Sequence, residues 1–417
     1  MSAEQQDADR FAVDGVRPER VVRPESVAEL REIVREAAAS ESPLIPWGGG
    51  TQMGFGNLAG PTALALDLTG LNQVVDYEPD DLTIGIQAGA TVGAANELLG
   101  QNGQFLPAEA ADPARATLGG VFATGIAGPR RFGFGSPRDM VLGISLVLPD
   151  GTLARGGGKV VKNVSGFDLM RLNYGALGSL GIIVQLNLKV LPAARAQRTV
   201  LARYADLAPA LEAAMRVRES TLGPTAITLV DAGAARAAEL GDAAWTLALR
   251  CEAPPEAVTR QADRVREEVA SGALDSAVLE DAATQPTWLA LNGALSAEPA
   301  RAWMNVRLGV TPSQAAVALE ACGAAAIATG LALERTADLG SGLIYARLNG
   351  TNGMLLGAWR GLAHVGSHRS LLSAPPAVKA ETDVFGARNE GFPLMEALKE
   401  QFDPGRIFNR GRFIGRL

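Results

Sequence analysis

Residues 45–56 read IPWGGGTQMGFG: a short apolar lead followed by glycine at 48, 49, 50, 54 and 56. Glycine has no Cβ, so such a loop lets its backbone approach something closely. Successive N–H groups after a strand form a concave nest for anions, and Thr51 adds a hydroxyl at its end. Two familiar nucleotide motifs fail here. A G-x-G-x-x-G fingerprint starting at Gly48 needs glycine at 53, where Met53 stands, and GGGKV has Val160 after its lysine and Leu153 where a Walker loop needs its first glycine. A second segment, ADPARATLGGVFATGIAGP (111–129), places Thr117, Gly119, Gly120 and Thr124 around an apolar helical start, where free N–H groups suit an anion. Two such loops suit a diphosphate better than a single phosphate. The alternative is that these glycines only serve tight turns.

The rest of the chain narrows the function class. It has 417 residues, enough for two domains and a sizeable core. Its 48 glycines exceed the ~7% of average usage, and the excess lies between residues 48 and 181. The net charge is −7 with no long run of lysine or arginine, which argues against a nucleic-acid or anionic-membrane surface. Cys251 and Cys322 stand far apart, too few for a disulfide framework or a cysteine-held iron–sulfur cluster. The amino terminus, MSAEQQDADR, is polar, and no stretch approaches the roughly 18 apolar residues of a membrane span. The expected compartment is the cytoplasm, without direct membrane insertion.

Residues 25–40 predict an amphipathic helix, with Ser26 and Glu29 as a capping box and Val27, Leu30, Ile33, Val34 and Ala37 on one face. Strands are expected at 62–68, 73–78, 82–88, 141–148, 160–164 and 181–191, and a helix from Thr91 to Leu99. After Pro192 alanine-rich helical segments (208–220, 256–270, 312–329) alternate with TAITLV, WTLALR and GLIYARL, which predicts an α+β second domain. SAPPAVK (373–379) has the composition of a hinge.

The order of these segments carries a resemblance. The capped helix, PWGGGTQMGFG, then LDLTGLNQVVDYEPDDLTIGIQAGATVGAANELL resemble the opening of the vanillyl-alcohol-oxidase-like (PCMH-type) FAD-binding domain. ATLGGVFATGIAGPRRFGFGSPRDMVLGISLVLPDG and GGGKVVKNVSGFDLMRLNYGALGSLGIIVQLNLKVLP continue it in the family's order, over about residues 17–193. The tail, FDPGRIFNRGRF, resembles the family's C-terminal return to the flavin domain, and GPRRFGFGSPRD with KNVSGFDLMRL is most similar to GlcE-type subunits of bacterial glycolate oxidases. The implied fold is α+β: an FAD-binding domain over 1–193, a cap or substrate domain over 194–375, and a returning segment over 376–417.

The resemblance also implies a cofactor, FAD, and its contacts. Pro46, Trp47, Gly48, Gly49, Gly50, Thr51, Gln52 and Met53 would form the pyrophosphate loop. Pro107, Asp112, Thr117, Leu118, Gly119, Gly120, Ala123 and Thr124 would form the second phosphate-side segment. Ser136 and Arg138 fall in a GSxRD-like turn near the flavin, Gly181, Ile182 and Ile183 run along its edge, and Arg406, Phe408 and Asn409 come from the tail. Covalently flavinylated relatives carry a histidine in the glycine loop. Here His364 and His368 are the only histidines, so the FAD is expected to be noncovalent. The histidine and glutamate motifs with which many 2-hydroxy-acid dehydrogenases of the family hold a metal are missing, and no metal is expected. His364 and His368 are four apart, but VGS between them is poor helix, which favours a structural or surface role.

Other residues carry two readings each. Lys162, with Lys159 beside it, could stabilise reduced flavin or lie on a solvated strand edge, and Asp168 suits a helix cap better than a base. Arg130 and Arg131 could bind a phosphate or carboxylate, or simply face solvent. Trp245, Trp288, Trp303 and Trp359 could line a pocket, but core packing is the default. No catalytic residue is assigned. The leading expectation is an FAD-binding subunit of a glycolate oxidase or dehydrogenase complex, acting on a small 2-hydroxy acid. A larger homologous flavoprotein and an iron–sulfur subunit would be its partners, and could bring it to a membrane. The alternatives are a self-contained FAD-dependent oxidoreductase for an alcohol or 2-hydroxy acid, and a non-catalytic scaffold.

Overall fold

The computed structural model describes residues 8–158, 168–296, 298 and 303–417. The strand expected at 160–164, with Lys159 and Lys162, lies outside these residues. Chain entry forms a parallel three-stranded sheet in the order β1 (Arg20–Val22), β3 (Leu64–Asp67), β2 (Leu44–Trp47). The helix Val27–Ala39 crosses over it and buries Leu30, Val34 and Ala37 against it. Its start is set by Ser26, whose hydroxyl accepts from Glu29 N at 3.1 Å, while the Glu29 carboxylate reaches back one residue further than a capping box, to Glu25 N at 2.9 Å. Because this sheet is covered on both faces, β3 reads LALD and buries its first three residues without alternation.

A second, antiparallel sheet runs β4 (Val74–Glu78), β5 (Thr83–Gln87), β9 (Ile182–Lys189), β7 (Val141–Val147), β8 (Leu153–Gly157), and a two-stranded ladder pairs β6 (Gln104–Phe105) with β10 (Leu191–Pro192). The short helix Leu118–Thr124 and the helix Val92–Gly100 pack on Ile84, Ile86, Leu146 and Ile183 of the second sheet, while Val147, Ile182 and Val184 meet Leu44, Leu64 and Leu66 of the first sheet.

Residues 196–373 build an eight-stranded antiparallel sheet. Its order is β14 (Asp275–Leu279), β11 (Ala196–Tyr204), β13 (Trp245–Ala253), β12 (Ala226–Asp231), β16 (Ala332–Asp338), β17 (Leu343–Asn349), β15 (Met304–Gly309), β18 (His368–Ser373). The two-residue period of a strand divides its faces. Met304, Val306, Leu308, Ile344 and Ala346 point to the side covered by the helices Leu207–Glu219, Pro255–Val269, Ala315–Thr329 and Asn352–Gly361. Leu343, Tyr345 and Leu372 point to the opposite side, where they meet Phe55, Ile126 and Leu177 from the first part of the chain. Three of the tryptophans are core residues: Trp245, Trp288 and Trp359 are all buried.

SAPPAVK, read from composition as a hinge, is a fixed point. Ser373 ends β18, a helix runs Pro376–Ala380, and Lys379 is fully buried within it. From there the chain returns to the first sheet. Leu44 N donates to Ile407 O at 2.8 Å, and Asn409 N to Leu44 O at 2.9 Å, so residues 407–409 lie along β2.

Candidate functional site

The glycine loop leaves the end of β2 and faces the start of the helix Leu118–Thr124. The glycines do two jobs. A Cβ on Gly49 would lie 1.7 Å from Arg115 O, and one on Gly48 would lie 2.2 Å from Thr117 Oγ1. At these positions the close approach is therefore between the two loops themselves. Gly50, at φ +77°, turns the chain away from that contact. Between the paired loops runs an open cleft of about 700 Å³, lined by Gly48 to Met53, Thr117, Gly120, Ala123, Thr124 and Asn409. A second cleft of about 430 Å³ continues from it along Gly119, Ile182 and Ile183, and the two share Pro46, Gly48, Thr117, Gly120, Ala123 and Leu177.

Most of the residues expected at a cofactor therefore meet in one place. Others sit behind it. Trp47 packs on Phe11, ring centroids 4.9 Å apart, and Leu118 is part of the core under the cleft. Asp112 accepts from Arg115 N at 3.2 Å and shapes the turn before Thr117. Ser136 is tied to the Asp139 carboxylate at 2.8 Å, Arg138 is exposed, and Arg406 lies by Glu400 at the surface. Pro107 and Gly181 also fall outside the two linings. The Thr117 hydroxyl accepts from Gly120 N at 3.2 Å and so caps its helix. His364 lies in the turn after the helix Asn352–Gly361 and His368 opens β18, so the two share no helical face, and neither lines the clefts.

The lining also contains residues that the sequence did not single out: Phe55, Glu109, Leu177 and Arg412. Three buried polar atoms of lining residues, Gln52 Oε1, Asn409 Oδ1 and Arg412 Nε, have no hydrogen-bond partner among the described residues. A buried polar atom left unpaired costs about 1–3 kcal/mol, so a cleft edged by three of them fits a ligand rich in donors and acceptors. A dinucleotide flavin, with a diphosphate and a polar ring edge, is such a ligand.

The eight-stranded sheet packs on the cleft lining at Phe55, Ile126 and Leu177. Arg307 on β15 stands opposite Tyr345 on β17 and Ser370 on β18, and its Nε donates to Ser370 Oγ at 3.2 Å. Its guanidinium lies 5.7 Å from the centre of the Phe55 ring, which itself lines the cleft. No carboxylate lies within ion-pair distance of Arg307 or Arg131 among the described residues. Burial pulls the Arg307 pKa down, and the Arg131 charge pulls it further, while Tyr345 and Tyr174 act the other way. Burial pushes the Tyr345 and Tyr174 hydroxyls up, so both are protonated donors at neutral pH. Burial, then the Arg307 and Arg131 charges, lower the pKa of His368.

Arg130 fits neither reading offered for it, being held by a carboxylate of the protein itself, and Arg131 is placed differently. Arg131 belongs to a short helix, Arg131–Phe134, that docks on the sheet: Gly133 N donates to Thr225 O at 3.1 Å, and Phe132 packs where a Cβ on Gly340 would lie 2.5 Å from its ring. Arg130 is an ion-pair partner of buried Glu252, whose Oε2 also accepts from Thr225 Oγ1 at 2.6 Å. Arg250, 1% exposed, lies 3.5 Å from Glu252 and 3.6 Å from Glu109. This four-charge latch joins the sheet to the cleft wall at Glu109.

Comparison with known proteins agrees with this arrangement. Residues 18–157 match the FAD binding domain family, and residues 193–332 match the C-terminal domain of FAD linked oxidases. The chain is 38% identical over 168 residues to glycolate oxidase subunit GlcE of Escherichia coli, covering 40% of this chain and 47% of that one. It is 28% identical over 214 residues to glycolate oxidase subunit GlcD of Bacillus subtilis, covering 51% and 46%. The chain thus spans about half the length of the curated relatives it matches. Among solved structures, 4-ethylphenol oxidase from Gulosibacter chungangensis superposes with a TM-score of 0.75 at 14% identity, over 98% of this chain and 93% of that one. With its two domains in this order and FAD as the cofactor of the first, the chain belongs to the FAD-linked oxidases of the PCMH-type fold.

Proposed function

We propose that the chain is an FAD-dependent oxidoreductase acting on a small 2-hydroxy acid, working as the FAD-binding subunit of a glycolate-oxidase-type assembly. The observation that carries the substrate class is Arg307. It is a guanidinium set among buried side chains with no carboxylate in ion-pair distance among the described residues, against the phenylalanine that lines the cofactor cleft. A cation so placed is stabilised by an anion that arrives with the ligand. With Arg131 nearby and the Tyr345 phenol beside it, Arg307 would hold the carboxylate of the acid by charge-assisted hydrogen bonds. That grip would present the hydroxyl-bearing carbon toward the cleft. Bound FAD would supply the two-electron acceptor there. The FAD is expected to be dissociable, since neither histidine lines the clefts.

Electrons would leave through a partner. Cys251 and Cys322 are both buried thiols, their pKa pushed up to about 12 by burial, and two cysteines cannot supply the four ligands of a common iron–sulfur cluster. An iron–sulfur subunit and a larger homologous flavoprotein are the expected partners; the names of the relatives say only that each is a subunit of a glycolate oxidase. No helix among the described residues is long and apolar enough to cross a membrane. The arginine pair also favours a second reading, in which this chain oxidises the acid without a second flavoprotein. Anaerobic addition of glycolate or D-lactate to the purified FAD-loaded chain separates the two: bleaching by the chain alone supports self-sufficiency, and bleaching only after partners are added supports the assembly. No bleaching under either condition removes the 2-hydroxy acid from the proposal.

A further inference from the structure

The glycine loop is held from behind by the returning tail. Arg412 Nη2 donates to Met53 O and to Phe55 O, both at 2.7 Å. Lys379 Nζ donates to Gly54 O at 2.7 Å and to both carboxylate oxygens of Asp14, at 2.8 and 3.0 Å. Three successive carbonyls of the loop are thus engaged by two buried cations, both from the C-terminal segment. A peptide whose carbonyls are fixed on one side presents its remaining polar edge in a fixed direction. Arg412 is 2% exposed, Lys379 is fully buried, and Gly56 at φ +125° passes so close that a Cβ there would meet Arg412 at 3.1 Å.

The charges do not balance. Asp14 is the carboxylate of this group, and it is paired with Lys379, while Arg412 makes no ion pair among the described residues. Arg412 lines the cleft and keeps a buried Nε without a partner. One positive charge is therefore left beside the loop in a site shielded from solvent, where its effect on a nearby anion is large.

We infer that Arg412 is a positioning residue for the cofactor loop whose uncompensated charge favours an anionic dinucleotide in the cleft. This rests on the FAD reading of the cleft. It adds that the tail, sequence-distant from the loop by more than 350 residues, sets cofactor affinity.

The test is FAD affinity of the purified full chain, followed by quenching of flavin fluorescence, beside the melting temperature of the same protein without FAD. Arg412→Met is expected to weaken FAD binding at least tenfold, and Arg412→Lys, which keeps the charge but not the fork to two carbonyls, to recover part of that loss. Asp14→Asn separates a charge role from a merely structural one. It should lower the melting temperature without weakening FAD binding, because it removes the only anion of the group. Three results would overturn the inference: wild-type affinity in Arg412→Met, equal loss in Arg412→Lys and Arg412→Met, or a tenfold loss in Asp14→Asn. A wild-type chain that binds no FAD would overturn the reading of the cleft as well, which distinguishes the two failures.

Discussion

The two walls of the site are built by different means. The cofactor wall is made of backbone: two loops packed so tightly that Gly48 and Gly49 cannot carry a Cβ, edged by a few orphaned polar atoms. The sheet wall is made of side chains: Arg307, Tyr345 and Leu343 project from one face of paired strands. A backbone wall tolerates almost no change in residue size and takes its charge from the tail, at Arg412. A side-chain wall tolerates changes of shape and depends on the identity of a few groups. Substitutions in the two walls should therefore fail differently.

The largest effect is expected at the loop. Gly49→Ala puts a methyl 1.7 Å from Arg115 O, so one loop must move. The expected cost is about 4 kcal/mol of stability, with FAD affinity reduced by on the order of a hundredfold or more. Near-wild-type FAD affinity in this variant would break the comparison.

Next comes the latch that holds the walls together. Although burial pushes the Glu252 carboxyl up, the charges of Arg130 and Arg250 and hydrogen bonds from Arg130 and Thr225 more than offset it, and its pKa lies below the ordinary 4.5. The stability it contributes is therefore complete above pH 4.5 and is lost as pH falls through the lower folded value. Glu252→Gln leaves two guanidiniums with Glu109 as the one remaining carboxylate of the latch and should cost about 3 kcal/mol at neutral pH. In denaturant titrations between pH 3 and 7 the wild type should lose stability at the acid end more steeply than the variant.

On the sheet wall, Arg307→Met should raise KM for the hydroxy acid about 10- to 100-fold, the loss of a charge-assisted contact worth about 1.5–3 kcal/mol. FAD affinity should stay unchanged, which steady-state kinetics and flavin titration on one preparation would check. The smallest effect is a control. Gly353 lies in the helix Asn352–Gly361 on the covered side of the sheet, and a Cβ added there would meet nothing within 4 Å, so Gly353→Ala should stabilise by about 0.5–1 kcal/mol.

The same contrast explains what could be read from the sequence. The loop wall is local: IPWGGGTQMGFG and ATLGGVFAT announce themselves because glycine at those spacings serves few other purposes. Even so, the reason for Gly48 and Gly49 differs from the reason inferred, since they make room for another loop. The sheet was legible as alternating strands and alanine-rich helices, and TAITLV and WTLALR fall within β12 and β13 to within a residue at their start. Its functional face was not legible. Arg307 meets Tyr345 through the pairing of β15 with β17, and Phe55 through a domain contact spanning some 250 residues, and neither leaves a mark in local pattern. Lys379 was hidden inside a stretch whose prolines read as a hinge. Two prolines start its short helix, and burial of its lysine depends on Asp14, near the other end of the chain.

The most direct measurement is a visible spectrum of the purified chain titrated with FAD, repeated anaerobically with glycolate and D-lactate, with the partner subunits present, for wild type and Arg307→Met. The account predicts a yellow protein whose flavin is released by acid, bleached by a 2-hydroxy acid in the wild type and far less readily in the variant. A chain that refuses added FAD, or an Arg307→Met variant that bleaches as readily as the wild type, would contradict it.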